Sequence, residues 1–219
     1  QSLGAGRAGS LWSSPPGSLS ASFLTVLPRT PTTGQNLAAV QHIVGMAVCE
    51  AGRKWHITPR IKWPNDIVVV DGGDVRKLGG IICEAEFGDD FVAVMAGLGL
   101  NVTNDTPGVD VATASVKDCV TGATPSVDAV RQAVLEAYDG LLPKTSFAGL
   151  TPELMKAYTG MWVHGGEEVT VEGQDGSGVI AGVTPAGELV VEGDAGVRVR
   201  VEPSGWSLDV QAGSVRVKK

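Results

Sequence analysis

Hydrophobic and polar positions follow two different periods along this chain, and the change of period divides it. From Ser18 to Leu27 small polar and apolar residues alternate (Ser-Leu-Ser-Ala-Ser-Phe-Leu-Thr-Val-Leu), which predicts a strand closed by Pro28. Between Gln35 and Lys54 the apolar residues Leu37, Val40, Ile43, Val44, Ala47, Val48 and Ala51 recur at helical spacing and predict an amphipathic helix packed on a sheet. The run Ile67 to Val70 and the segments Lys77 to Glu86 and Phe91 to Ala96 read as further strands, the last two joined through Gly88-Asp89-Asp90. Gly97 and Gly99 then fall on one face and leave it without side chains, so something flat is expected to lie against the sheet there. Residues 126 to 142 predict a second helix, capped by Ser126, with Asp128 in its first turn and Val130, Val134, Leu135, Tyr138, Leu141 and Leu142 on its apolar face. A third helix is expected from about Thr151 to Met161.

From Glu167 the texture changes to short alternating strands with glycine turns: Glu168 to Glu172, Gly178 to Val183, Glu188 to Glu192, Val197 to Val201 and a last one near Ser214 to Val217. That pattern predicts a small closed barrel, and places a main domain at 1–163 and a small β-barrel domain at 164–219. The barrel segment has few aromatics and no basic stripe, so it reads as a support or docking module and not as a nucleic-acid reader.

Composition narrows the classes. The 219 residues are 43% hydrophobic, with no uninterrupted apolar run approaching the roughly 18 residues of a membrane-spanning helix. The opening residues lack the charged start, apolar middle and cleavage site of a secretory signal, and a chain beginning at Gln1 reads as one that has lost its natural start. Cys49, Cys83 and Cys119 are far apart and odd in number, which suits reduced thiols in a cytoplasmic protein. His42, His56 and His164 are equally scattered, and no metal-ligand cluster is expected. A net charge of −7 argues against bulk nucleic-acid or membrane-surface binding. The charge is uneven, however: residues 1–80 hold eight Lys/Arg against four Asp/Glu, and the remainder nine against twenty, so a +4 segment precedes a −11 segment. Positive charge and glycine-rich loops coincide in the first part, which suits a small anionic ligand such as a nucleotide or carboxylate.

The candidate chemistry centres on Arg60-Ile61-Lys62-Trp63-Pro64-Asn65-Asp66. A proline after a tryptophan and two polar turn-formers make a sharp corner before a strand, so Lys62 is either a cation held ready for an anion or a surface lysine beside a core tryptophan. Gln1 to Trp12 sets three glycines around Arg7, a planar fork on a backbone that a ligand can approach closely; a flexible tail is the other reading. It matches neither the phosphate loop of nucleotide-hydrolysing enzymes nor the dinucleotide fingerprint. Lys77, beside Gly79 and Gly80, brings a second cation and bare backbone, although a plain hairpin also uses paired glycines.

Taken in order, Gln1 to Trp12, Lys62-Trp63-Pro64-Asn65-Asp66, Lys77-Leu78-Gly79-Gly80-Ile81 and Gly97-Leu98-Gly99-Leu100-Asn101-Val102 resemble the biotin protein ligases over nearly the whole chain. The ending Pro203-Ser204-Gly205-Trp206-Ser207-Leu208-Asp209 is more similar to the eukaryotic holocarboxylase synthetase type than to the bacterial repressor-ligases. The resemblance implies an α+β fold, a mixed or antiparallel central sheet flanked by helices in the class II synthetase-like biotin/lipoate ligase arrangement, with a small SH3-like barrel. It implies a ligase that activates biotin with ATP, in the presence of Mg²⁺, to biotinyl-5′-AMP. The biotinyl group then passes to a lysine on the biotin carboxyl carrier domain of biotin-dependent carboxylases, with no nucleic-acid or membrane partner. Carried onto this chain, Lys62 and Arg7 are the catalytic residues. Gln1, Gly4, Ala5, Gly6, Arg7, Lys62, Gly80 and Gly97 are the biotin-binding ones, and Arg7, Trp12, Lys62, Lys77, Gly99 and Asn101 bind ATP, Asn101 offering its amide to adenine. Asp66 reads as a turn-former, with contact to hydrated Mg²⁺ as the other reading, and no residue is assigned as a direct metal ligand.

Two departures stand out. Ala5, Ala8 and Ser10 occupy loop positions where the family carries cations or polar groups, so Arg7 works with less help. The family's Ser/Thr-Ser/Thr-Asn strand lies before Gln1, and a chain confined to these residues is expected to hold biotin poorly. A lipoate or octanoate ligase is the nearest rival, but the Arg-Arg-x-Ser-Gly-Gly-Gly loop expected of it is not found at Gly4 to Gly9; a catalytically impaired carrier-binding fragment is the other alternative.

Overall fold

The computed structural model describes residues 3–9, 11–105, 112–145, 149–193 and 196–217. Strands β1 (Leu3–Ala5) and β2 (Leu11–Ser13) form a small hairpin around a 3₁₀ turn at Arg7–Gly9. The main sheet contains β3 (Ser18–Pro28), β4 (Arg60–Lys62), β5 (Asp66–Asp71), β6 (Asp74–Phe87) and β7 (Phe91–Asn101), in the spatial order β3-β7-β6-β5-β4 with every neighbour antiparallel. The alternation in β7 sets its two faces. Val92, Val94, Ala96, Leu98 and Leu100 are buried on one side, and Ala93, Met95, Gly97 and Gly99 stand on the other. In register, Ser22 faces Gly97 and Ser20 faces Gly99, so the bare patch expected from the glycines lies at one end of the open face.

The helices are α1 (Pro31–Gln35), α2 (Ala38–Gly52), α3 (Val116–Cys119), α4 (Val127–Leu141) and α5 (Pro152–Gly160). Ser126 and Thr151 cap α4 and α5 by accepting from the amides of Ala129 and Leu154. The expected helix from Gln35 is two elements, because Gln35 closes α1, a short turn capped by Thr30. Nor is α2 amphipathic: every residue from Ala39 to Cys49 is buried. The reason is its place between the sheet and α4, where a Cβ built on Gly45 would already lie 3.5–3.7 Å from the side chains of Ile61, Ile81 and Ile67. Its polar residues must therefore find partners inside, and Gln41 Nε2 donates to the Pro64 carbonyl at 2.9 Å.

The C-terminal module comprises β8 (Glu168–Val171), β9 (Ser177–Val183), β10 (Leu189–Gly193), β11 (Arg198–Val201), β12 (Trp206–Asp209) and β13 (Ser214–Val217), ordered β11-β10-β9-β8-β13-β12. Only β13 and β8 pair in parallel. This second sheet is consistent with the SH3-like barrel expected, with two differences: β12 is an additional strand, and among the described residues no ladder joins β11 to β12. Proline, serine and glycine just before Trp206 hide β12 from a periodicity argument. The inward residues Val169, Val171, Ile180, Leu189, Val191, Val201, Leu208 and Val215 form one continuous apolar cluster with the core under the main sheet. Among the described residues no helix is long and apolar enough to cross a membrane.

Candidate active site

The corner between β4 and β5 is fastened on every side. Trp63 is completely buried and its indole N–H donates to the Gly187 carbonyl at 3.1 Å, an oxygen that His42 on α2 also approaches at 3.2 Å through Nε2. The Trp63–Pro64 bond is cis. Asn65 is pinned to β6 twice: its carbonyl accepts from the Ile81 amide at 2.9 Å, and its Nδ2 donates to the Ile81 carbonyl at 2.9 Å. Lys62 thus projects from a support in which neither backbone nor neighbours are free to relax, which is the condition for a preorganised cation.

The five strands of the main sheet and the first hairpin contribute to a cavity of ≈ 320 Å³ at the glycine end of the open face. Its walls include Gly4, Gly6, Arg7 and Trp12 from the hairpin, Ser20 and Ser22 from β3, and Lys62, Asn65, Asp66, Lys77, Gly80, Gly97 and Gly99 from the sheet, with Ser207 from the C-terminal module. Asp66 is the hub. Lys77 Nζ lies 2.6 Å from Asp66 Oδ1 and Lys62 Nζ 3.8 Å from Oδ2. The antiparallel register that sets Asp66 opposite Gly80 brings Lys77 back to it across the β5–β6 hairpin. Arg7 joins from the loop, its Nη1 donating to Asn65 Oδ1 at 2.8 Å. Burial lowers the Arg7 guanidinium from its ordinary value and the Asp66 carboxylate acts in the opposite direction. Among the described residues, three cations against one carboxylate leave the lining with a formal charge of +2.

The flat group on the glycine patch is the chain's own Trp12. A Cβ built on Gly99 would lie 2.6 Å from the indole, so the ring rests directly on that backbone. Lys77 Nζ stands 5.9 Å from the Trp12 ring centroid, and the indole nitrogen is buried without a hydrogen-bond partner. Behind Lys62, His164 is stacked on Trp162 at 4.5 Å. Burial first, and the charge of Lys62 second, push the His164 imidazole down to about 3; burial takes His42 down to about 4.

The cavity therefore assembles Gly4, Gly6, Arg7, Trp12, Lys62, Lys77, Gly80, Gly97 and Gly99 of the expected site. Gln1 lies outside the described residues. Ala5 pairs with Leu11 in the hairpin. Asn101 is buried at the end of β7, where its Nδ2 donates to the Ala114 carbonyl at 3.1 Å and its Oδ1 accepts from Asn104 at 3.0 Å, and it is not among the described residues that line the cavity. Ser20, Ser22, Asn65 and Ser207 were not anticipated as cavity residues. The β3 alternation opposite Gly97 and Gly99 carried a signal for the two serines, whereas nothing local pointed to Ser207. Among the described residues no three acids, histidines or cysteines stand close enough together to hold a metal ion.

The family model described as "Biotin/lipoate A/B protein ligase family" matches residues 1–101, the part of the chain that supplies most of this glycine-floored, polycationic cavity. Biotin-protein ligase 2 of Arabidopsis thaliana is 31% identical over 233 residues, covering 100% of this chain and 68% of that protein. The human biotin-protein ligase is 30% identical over 223 residues, covering 96% of this chain but only 30% of its own length. The crystal structure of the Aquifex aeolicus biotin protein ligase in complex with biotin and ATP superimposes with a TM-score of 0.68 at 23% identity, covering 98% of this chain and 84% of that one, and so shares the fold. The chain belongs to the biotin-protein ligase family.

Proposed function

We propose that this chain activates biotin with ATP to biotinyl-5′-AMP and transfers the biotinyl group to a lysine of a biotin carboxyl carrier domain. The observation that carries the reading is the convergence of Arg7, Lys62 and Lys77 around Asp66 at the glycine-lined end of the sheet. In the first step a biotin carboxylate oxygen attacks the α-phosphorus and pyrophosphate leaves; in the second a neutral lysine amine attacks the acyl carbon and AMP leaves. Both steps pass negative charge through oxygens that fixed cations stabilise without reorganising. Lys62 is the cation expected at the α-phosphate, and its 3.8 Å separation from Asp66 leaves it only loosely engaged. The 2.6 Å pair with Asp66 and the position of Nζ 5.9 Å from the Trp12 ring centroid give Lys77 a share of that work beside the ring expected to pack against the nucleotide. Arg7 closes the loop side and keeps water from the mixed anhydride.

Magnesium neutralises phosphate charge when it is bound. Asp66, the one carboxylate among the described lining residues, is occupied by lysines, so none of these residues is assigned to hold the ion, which would supply charge neutralisation at the phosphates.

The reading is tested by incubating the protein with ATP, a carrier domain and either labelled biotin or labelled lipoate. Label from biotin on the carrier lysine is the expected result. Transfer of lipoate in preference to biotin would move the chain to the rival activity, and transfer of neither would contradict ligation.

A further inference from the structure

Arg7 begins on the first hairpin, yet its guanidinium is oriented from the far end of the chain. While Nη1 is held by Asn65, Nη2 donates to the Pro203 carbonyl at 2.8 Å and to the Trp206 carbonyl at 2.6 Å, 196 and 199 positions away. These two carbonyls flank the turn that joins β11 to β12, where Gly205 adopts φ +74°. The next residue but one, Ser207, enters the cavity wall. Arg7 also lines a second, open groove of ≈ 1030 Å³ on its other side, bounded by Cys83 and Glu84 of β6 and by Pro185 and Glu202 of the C-terminal module. Its guanidinium is thus a partition between a small polycationic cavity and a groove wide enough for a protein loop.

Backbone carbonyls are fixed acceptors: they cannot rotate away as a side chain can, and two on one nitrogen set the plane of the fork. A freed arginine would regain its rotamers and hydrate in the groove. We infer that the Pro203–Trp206 turn is a positioning element for Arg7, holding the guanidinium across the mouth of the cavity so that the acyl-adenylate is retained until an acceptor amine arrives through the groove. The retention half of this inference rests on the ligase reading; the clamp itself does not.

Gly205 isolates the turn experimentally. A Cβ there meets nothing within 4 Å, so Gly205→Val acts only by opposing the positive φ, whereas Gly205→Asn suits that conformation. Gly173→Val applies the same strain, at φ +80° and also with no atom within 4 Å, in the β8–β9 turn, and serves as the control. Two quantities are read on the intact chain, with near-UV circular dichroism reporting that each variant is folded. The first is the rate of tryptic cleavage after Arg7 without substrate, expected to rise at least about fivefold in Gly205→Val and to stay near the parent rate in Gly205→Asn and Gly173→Val. The second is the fraction of biotinyl-AMP found free in solution per carrier labelled, expected to rise in the same variant only. Equal cleavage of Gly205→Val and Gly173→Val overturns the clamp. Faster cleavage with an unchanged free fraction overturns its role in retention. If the parent chain makes no adenylate, the ligase reading fails, and the cleavage comparison still decides the clamp.

Discussion

Asp66 accounts for how three like charges coexist in one small cavity. Coulomb repulsion among Arg7, Lys62 and Lys77 would otherwise splay them into solvent, and a single carboxylate within 2.6 and 3.8 Å of two of them holds the set together while leaving it net positive. An incoming phosphate or carboxylate meets cations whose positions are already established. Because both lysines face the same carboxylate, Lys62→Ala and Lys77→Ala are each expected to lower carrier labelling at saturating biotin and ATP at least about tenfold, the loss of one charge-stabilising contact being typically larger than that. A variant of either lysine that turns over normally would remove it from the chemistry. Lys62, Arg7 and Trp12 were legible in the sequence because proline and glycine neighbours announce a constrained loop. Asp66 was legible only as a turn-former, since its role depends on a hairpin register that returns Lys77 to it. The partners of Asn101, Ala114 and Asn104, were not legible, because nothing in the sequence pattern marks them as such.

Helix α2 and the β4–β5 corner act as one unit with the turn before β10. The Gly187 carbonyl takes the Trp63 indole N–H and meets His42, and the aromatic contacts continue from His42 to Tyr158 at 4.6 Å, to Trp162 at 5.4 Å and to His164 at 4.5 Å. Both histidines are buried and held well below their ordinary value, to about 4 and about 3, so they are neutral in the fold. The unfolded chain takes up their protons below roughly pH 6.5, so it binds more protons than the native state there, and stability falls with acidity. Their contribution is complete above that pH and is lost progressively as pH drops towards the folded values. Between about pH 6 and 5, where most carboxylates are still ionised, unfolding free energy from urea titrations is expected to fall with acidity, by at most about 3 kcal/mol per pH unit for the pair. A flat profile in that window would show that the seam is not closed around neutral imidazoles. The apolar spacing of α2 disclosed a helix but not its burial on all sides, because a helix packed between two layers differs from a surface helix only in what its polar residues meet. Strand β12 was missed for a related reason: four residues after a glycine turn carry too little alternation to stand out.

At the scale of the whole molecule, the change of period near Glu167 marks a boundary in the sequence that the core does not respect. Apolar residues of both sheets form one cluster, the main chain crosses the junction through Leu150 N–H to Pro185 carbonyl at 2.9 Å, and Arg7 spans it with its side chain. The C-terminal module is therefore a wall of the site as well as a neighbour of it. Its outline was readable from alternation, but its contacts with Arg7 and Trp63 use backbone carbonyls, which any residue supplies and no sequence pattern advertises. The central claim is that this preassembled cationic cavity drives displacement at the α-phosphate of ATP by a biotin carboxylate. It is tested most directly by following pyrophosphate release from ATP without any carrier, at saturating biotin. The account predicts a biotin-dependent burst close to one pyrophosphate per active site, with the adenylate retained on the protein. Pyrophosphate release that is absent, or that proceeds at the same rate without biotin, would contradict it.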